Sequence, residues 1–332
     1  MPRPRVGSAG GMVHVTARVA VVGEALVDLL WRTGSREARA VPGGSPANVA
    51  VGLHRLERPA TLLTSWGDDP PGALVAEHLA GTGVEVVRLP TGGPARTTVA
   101  LAYLAADGSA HYDFLTSWAP TALDLPEDTA VVHTGSLAVA VEPGASRVLE
   151  LAAAQSALGR LVVADLNVRP AVLPDRSAYR ALAERLAGEV RVLKASDEDL
   201  AWLYPDLTVG EAAETLRALG PELVVVTRGA EGALGLTAAH RVDVPAPAVA
   251  VVDTVGAGDA FQSALLDDLA GRGAVPTDPA VLAAVLARCA RCAALTCARE
   301  GADPPTRALL DGEGADTAAP DGTRGAETPD RG

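Results

Sequence analysis

Short runs of apolar, largely β-branched residues recur along the chain at Val19–Val22, Thr61–Thr64, Val131–His133, Leu161–Ala164, Arg191–Leu193 and Leu223–Thr227. Their length and composition are those of strands buried on both faces. Between them, apolar positions recur every three to four residues over Ser146–Leu158, Ser177–Ala187, Gly210–Leu219, Gly258–Ala270 and Pro279–Arg299, the period of amphipathic helices. Strands of this kind alternating with helices predict a doubly wound α/β domain, a mainly parallel sheet with helices on both faces. Two segments break the rhythm. Over Asp28–Ala40 and Arg96–Phe114 polar and apolar residues alternate at period two, with a turn expected at Ala106-Asp107-Gly108-Ser109. They predict a small antiparallel β lid from about residues 26–42 and 95–116. Residues 1–17 and 307–332 are too polar and Gly/Pro-rich to pack, so disordered tails are expected around one domain spanning 18–306.

Composition narrows the function. With 48% apolar and 21% charged residues the chain is an ordinary globular protein, and no run of eighteen uncharged apolar residues points to a membrane span. The formal charge, 28 − 41 = −13, disfavours nucleic acid and anionic membranes as partners. Part of that charge is terminal: from Asp311 onward six acidic residues stand against Arg324 and Arg331. The four tryptophans lack the spacing of a base-stacking platform. Cys289, Cys292 and Cys297 are too few and too close for a disulfide framework, and without a fourth ligand they are a poor zinc site. A cytoplasmic protein is expected.

Lys194 is the only lysine, and it follows Leu193. A P-loop, which needs Gly-Lys, is therefore excluded, as is a protein-kinase site. A dinucleotide fingerprint at Gly256-Ala257-Gly258 fails because position 261 holds Phe261. What stands there instead is Asp253-Thr254-Val255-Gly256-Ala257-Gly258-Asp259, a glycine turn opening a helix. Its backbone N–H groups and helix dipole suit an anion. Asp259 would repel a phosphate unless it accepts the proton of an attacking hydroxyl; as a plain alternative it caps the helix. A second cluster, Gly43-Gly44-Ser45-Pro46-Ala47-Asn48, follows the alternating segment that carries Asp28. Close backbone approach at the glycines, the amide of Asn48 and the Asp28 carboxylate describe a polyol pocket, although taken alone the cluster reads first as a strand-to-helix turn. His111 and His133 are acid–base candidates by residue type, but one lies in the lid and the other ends a buried strand, where structural roles are common.

Together these clusters resemble the ribokinase-like, PfkB-type carbohydrate kinases, closest to the fructokinase branch. The resemblance runs from about Arg18 to Thr306. It includes Gly23-Glu24-Ala25-Leu26-Val27-Asp28, Gly43 to Ala50, Asp165-Leu166-Asn167-Val168-Arg169-Pro170, Thr227-Arg228-Gly229-Ala230-Glu231-Gly232 and Asp253 to Asp259. It implies an ATP-dependent kinase for a small sugar, most closely fructose. Asp259 would be the catalytic base, with the amides of Ala257, Gly258 and Asp259 as the anion hole, Gly256 in the same catalytic turn and Arg169 as a nearby cation. Asp28, Gly43, Gly44, Asn48, Arg169 and Asp259 would bind sugar, and Lys194, Thr227, Gly229, Gly232, Gly256, Gly258 and Cys297 would bind ATP. Ser196 and Asp199 stand where the family holds magnesium through waters, and Asp253 and Val255 where it holds a monovalent cation such as potassium. An exposed apolar lid face would favour a homodimer through the lid. Kinases for ketodeoxygluconate, ribose or a nucleoside stay open as alternatives, as does a sensing relative without turnover. Against ketodeoxygluconate, the lid segment His111-Tyr112-Asp113-Phe114 lacks the arginine that acidic-sugar kinases carry there.

Overall fold

The computed structural model describes residues 17–105 and 110–312. The expected turn at 106–109 and nearly all of the two expected tails lie outside the described residues. The chain opens with β1 (Arg18–Val22), a hairpin of β2 (Leu26–Arg32) and β3 (Ala38–Gly43), α1 (Ser45–Arg55), β4 (Ala60–Thr64), α2 (Pro70–Thr82) and β5 (Glu85–Arg88). A second hairpin, β6 (Thr98–Leu104) and β7 (Ala110–Leu115), precedes β8 (Thr129–Gly135), α3 (Leu137–Ala140), α4 (Gly144–Ala157), β9 (Leu161–Asp165) and α5 (Arg176–Glu189). Then come β10 (Val192–Ser196), α6 (Asp197–Leu203), α7 (Val209–Arg217), β11 (Leu223–Thr227), β12 (Ala233–Leu236), β13 (Arg241–Val244), α8 (Ala257–Arg272), α9 (Pro279–Cys297) and α10 (Arg307–Asp311).

Nine strands form the main sheet in the order β13-β12-β11-β10-β9-β8-β1-β4-β5. From β11 to β5 all neighbours are parallel, and β12 and β13 add on antiparallel. Each apolar run serves both faces, because side chains alternate along a strand. In β1, Val19 and Val21 join the core under α1, α8 and α9, while Ala20 and Val22 join the core under α4, α5 and α7. Burying these side chains contributes about 1.5–3 kcal/mol for each valine or leucine. The 19-residue helix α9 is long and apolar enough to cross a bilayer. Here it packs on α8 and the β12–β13 edge, with Arg291 exposed on its outer side.

The lid is a separate four-stranded sheet in the order β3-β2-β6-β7. Both hairpins are antiparallel as expected, but the seam between them is parallel: β2 runs alongside β6 from Leu26–Thr98 to Arg32–Leu104. The domain also extends past its expected end at 306. Leu310 of α10 is buried, and Arg307 donates to Asp267 at 2.9 Å and to the Leu56 carbonyl. Asp267, itself buried on α8, also pairs with Arg58 and Arg288, so α10 closes an ionic cluster and does not trail into solvent. Composition marks this segment as polar; its polarity is spent on that cluster.

Candidate active site

The carboxyl ends of β1, β8, β9, β10 and β11 open beneath the lid into a cavity of about 870 Å³, the usual ligand position in an open α/β sheet. Two glycines set the helix starts that face it. Gly44, before α1, has φ 110°, and a Cβ there would come within 2.8 Å of the Glu24 carbonyl oxygen. Gly256, before α8, has φ 76°, and a Cβ there would meet Ala302 at 2.6 Å. Both positions exclude a side chain.

Asp259 lies in the first turn of α8 and lines the cavity. Its carboxylate accepts from the Ser45 hydroxyl at 2.7 Å and from Asn48 Nδ2 at 2.8 Å, both on α1. Burial raises its pKa above the ordinary value, the Ser45 and Asn48 bonds pull it down, and Asp165 and Lys194 act in opposite senses. Asn48, expected at the sugar, is therefore also a partner of Asp259. Beside it, the N–H groups of Gly258 and Asp259 have no acceptor among the described residues, whereas Ala257 donates to the Thr254 carbonyl at 3.3 Å. The expected three-amide anion hole thus begins with two free amides, and Ala257 closes the turn instead.

Asp28 lines the opposite side, from the inner face of the lid, and no hydrogen bond among the described residues occupies its carboxylate. Burial pushes its pKa up to about 6, with Arg169 opposing and Asp259 adding to the rise. Gly43 makes room for it: a Cβ there would lie 2.9 Å from Asp28 Oδ2. Arg169 follows β9; its side chain makes no ion pair among the described residues and donates only to the Val168 carbonyl at 3.0 Å. His111, Tyr112 and Phe114 of β7 complete the lid side, so the histidine candidate of the lid does line the cavity.

Lys194 and Asp165, neighbours across β10 and β9, form a buried ion pair at 2.5 Å on the cavity floor. Lys194 Nζ stands 3.8 Å from where a Cβ on Gly258 would be, so the only lysine faces the free amides. Asp165 Oδ1 is buried without a partner. Ser196 and Asp199 also line the cavity, but their side chains are engaged. Ser196 Oγ accepts the Asp199 N–H at 3.0 Å, and the two Asp199 oxygens accept the Val168 and Ser196 N–H groups at 2.8 Å each. They form a capping box that starts α6.

Thr227 reaches the cavity wall, but Gly229, Gly232 and Cys297 do not line it. Gly232, at φ 89° and with a Cβ position 2.0 Å from the Val244 carbonyl, shapes the β11–β12 turn. The Cys297 carbonyl accepts the Val252 and Asp253 N–H groups and so anchors the loop before α8. Asp253 bridges that loop to the next, accepting from Val255 N at 3.0 Å and Gly301 N at 2.9 Å. Sequence alone does not single out Glu24, Ser45, Asp165 and Asn167 for roles, although each lies inside a motif named above. Glu24 is buried at the end of β1 and accepts the Ala138 N–H at 3.2 Å; burial lifts its pKa to about 7. Asn167 and Ser136 both adopt positive φ and are linked at 3.2 Å, a strained corner in the cavity floor.

A carboxylate beside free helix-start amides, facing a second carboxylate on a lid, is an arrangement suited to phosphoryl transfer onto a hydroxyl compound. The sequence matches the pfkB family carbohydrate kinases over residues 16–309, and the chain belongs to that family. It is 34% identical over 298 residues to a fructokinase of Salmonella typhimurium, covering 87% of this chain and 95% of that one. It is 34% identical to the probable fructokinase-4 of Arabidopsis thaliana, covering 79% and 83%. Among solved structures, a Vibrio cholerae fructokinase double mutant bound to fructose, ADP and potassium ion superposes with TM-score 0.74 at 28% identity, covering 90% and 98%. A Xylella fastidiosa fructokinase with bound ATP gives TM-score 0.78 at 25% identity, covering the same shares.

Proposed function

We propose that this chain transfers the γ-phosphoryl group of ATP to a hydroxyl of fructose. The observation that carries the reading is Asp259, whose carboxylate faces the cavity beside the unpaired N–H groups of Gly258 and Asp259. In this reading Asp28, with Gly44 and Asn48, binds the sugar hydroxyls as the lid closes over them. Asp259 accepts the proton of the attacking hydroxyl, and its raised basicity helps it do so. The two amides and Lys194 face the charge that builds on the phosphoryl oxygens, with Arg169 at the sugar side. Six acidic residues line the cavity, Glu24, Asp28, Asp165, Glu198, Asp199 and Asp259, against Arg169 and Lys194. That balance favours a neutral sugar over a carboxylate sugar such as ketodeoxygluconate.

Magnesium would enter with the nucleotide phosphates, since no cluster of three His, Cys, Asp or Glu side chains able to hold a metal exists among the described residues. The unpartnered Asp165 Oδ1 is a fitting acceptor for water on such an ion, better placed for it than Ser196 and Asp199, which serve each other. Bound there, magnesium would neutralise phosphate charge. Asp253 and Val255 are the candidates for a potassium site, and the three cysteines, all free, suit a cytoplasmic enzyme. The outer face of the lid is the proposed dimer contact.

The test is coupled-enzyme detection of ADP release with fructose, ketodeoxygluconate, ribose and adenosine. Fructose is expected to turn over fastest. Asp259→Asn is expected to lower kcat by roughly 10²–10⁴ while sugar still binds. A preferred acceptor other than fructose would replace the substrate assignment, and an unchanged rate in Asp259→Asn would remove the base.

A further inference from the structure

His133 and Gln262 take no part in the chemistry above, yet both are buried and they meet directly behind it. His133 stands on β8 opposite Val163 of β9. Its Nδ1 lies 3.2 Å from the Val163 carbonyl oxygen and 3.3 Å from Gln262 Nε2. Gln262 is on α8, three residues after Asp259, so the two share one flank of the helix. Burial pushes the His133 pKa down to about 4, so the ring is neutral at pH 7. Protonated on Nε2, the ring accepts from the Gln262 amide. Protonated on Nδ1, it donates to Val163 and, with the amide turned over, to the otherwise unpartnered Gln262 Oε1. Either form joins α8 to the middle of the sheet.

The next residue holds the other flank. A Cβ on Gly52 of α1 would come within 2.5 Å of Ser263 Oγ, so α1 and α8 touch with no space between them. Apolar packing alone resists a small turn of a helix weakly, whereas a hydrogen bond is directional. At a helix radius of about 5–6 Å including side chains, a turn of about 10° moves a side-chain tip by about 1 Å, and such misplacement can cost about 10² in rate.

We propose that His133, acting through Gln262, is a positioning residue that sets the rotation of α8 and thereby where the Asp259 carboxylate stands. The inference rests on the kinase reading for its consequence in turnover, but its structural content can be measured without it. The variants are His133→Leu, Gln262→Leu, the double variant, and His133→Gln, which keeps a polar group of similar reach. For each, kcat and KM for fructose, the melting temperature, and amide hydrogen exchange of residues 260–263 are measured. Either leucine variant is expected to lower kcat about tenfold with KM nearly unchanged, a transition-state effect of about 1.4 kcal/mol. The double variant should be no slower than the slower single one, as for two members of one contact. His133→Gln should recover most of the rate. In His133→Leu the 260–263 amides should exchange about tenfold faster, about 1.4 kcal/mol less protection, while those of residues 266–270 keep their rate. A folded His133→Leu protein with normal kcat and normal exchange overturns the proposal, as does a double variant whose losses multiply. If the wild-type chain phosphorylates no sugar, the kinase reading fails separately, and the exchange comparison by itself decides the positioning role.

Discussion

Asp28 and Glu24 are both carboxylates raised by burial, and the direction in which each moves carries a consequence. In the proposed role Asp28 receives sugar hydroxyls as an acceptor, so it must be ionised. With its pKa near 6, KM for fructose should rise as pH falls through about 6, measured by steady-state kinetics from pH 5 to 8. Asp28→Asn should show a high, pH-independent KM; an unchanged pH profile in that variant removes Asp28 from sugar binding. Glu24 speaks to stability instead. Its folded pKa of about 7 lies above the 4.5 of the free group, so the native state holds a proton that the unfolded chain releases. That contribution is fully present below about pH 4.5 and is lost as pH rises through about 7. Glu24→Gln should therefore gain on the wild type between pH 5 and pH 8 in urea unfolding, by ~1.4 kcal/mol per pH unit until the folded carboxyl ionises. An equal difference at both pH values would mean that Glu24 does not titrate as a buried carboxyl. Neither displacement is legible in the sequence, because both residues read there as ordinary acids beside an apolar strand.

Helix α8 begins and ends on left-handed glycines, Gly256 at φ 76° and Gly273 at φ 69°. A Cβ at Gly273 meets nothing within 4 Å, whereas one at Gly256 meets Ala302 at 2.6 Å. Gly273→Ala should thus cost only the left-handed strain, ~1–2 kcal/mol, with kcat unchanged. Gly256→Ala bears the same strain, and its clash also displaces the amides of Gly258 and Asp259. It should lose kcat by about tenfold or more, since the two donors proposed to stabilise the phosphoryl charge move. Parallel chemical denaturation and kinetics of the two variants check this, and equal kcat in both would deny the turn its part in catalysis. The sequence announces this element well: Gly256, Gly258 and Asp259 in a row before an apolar period are a helix start with chemistry on it. It announces β1 and β11 equally well, where four consecutive buried residues suffice. It is silent on β12 and β13, four-residue strands whose pairing depends on the Gly232 turn and on α9 covering them. It misreads α10, because Arg307 and Asp311 look like tail charges until Asp267 and Arg288, distant in sequence, are seen beside them.

The lid has the same limit at the scale of the molecule. Period-two alternation identifies β2, β3, β6 and β7, but the parallel seam from Leu26–Thr98 to Arg32–Leu104 joins residues about seventy apart, and no local pattern encodes it. Once formed, the seam gives the lid two unlike faces. Asp28, Tyr112 and Phe114 turn toward the cavity, while Trp31, Tyr103, His111 and Leu115 fall on the alternate positions, of which only His111 lines the cavity. Trp31 is 42% and Leu115 64% exposed, with Trp31 and Tyr103 rings 6.2 Å apart. An aromatic and aliphatic face of this kind on a thin sheet is unsatisfied alone, since a four-stranded sheet needs cover on at least one side and its inner side must open for substrate. In the proposed dimer a second copy of the same lid would supply that cover by a two-fold contact, bringing matching apolar positions together and leaving both cavities free. Sedimentation equilibrium should therefore give about twice the 33.7 kDa chain mass. Trp31→Glu, which forces a charge into that contact, should weaken association by at least about tenfold, ~1.4 kcal/mol. A wild-type protein that sediments as a monomer at micromolar concentration would leave the lid face to some other partner, and an undisturbed dimer in Trp31→Glu would move the contact elsewhere on the molecule.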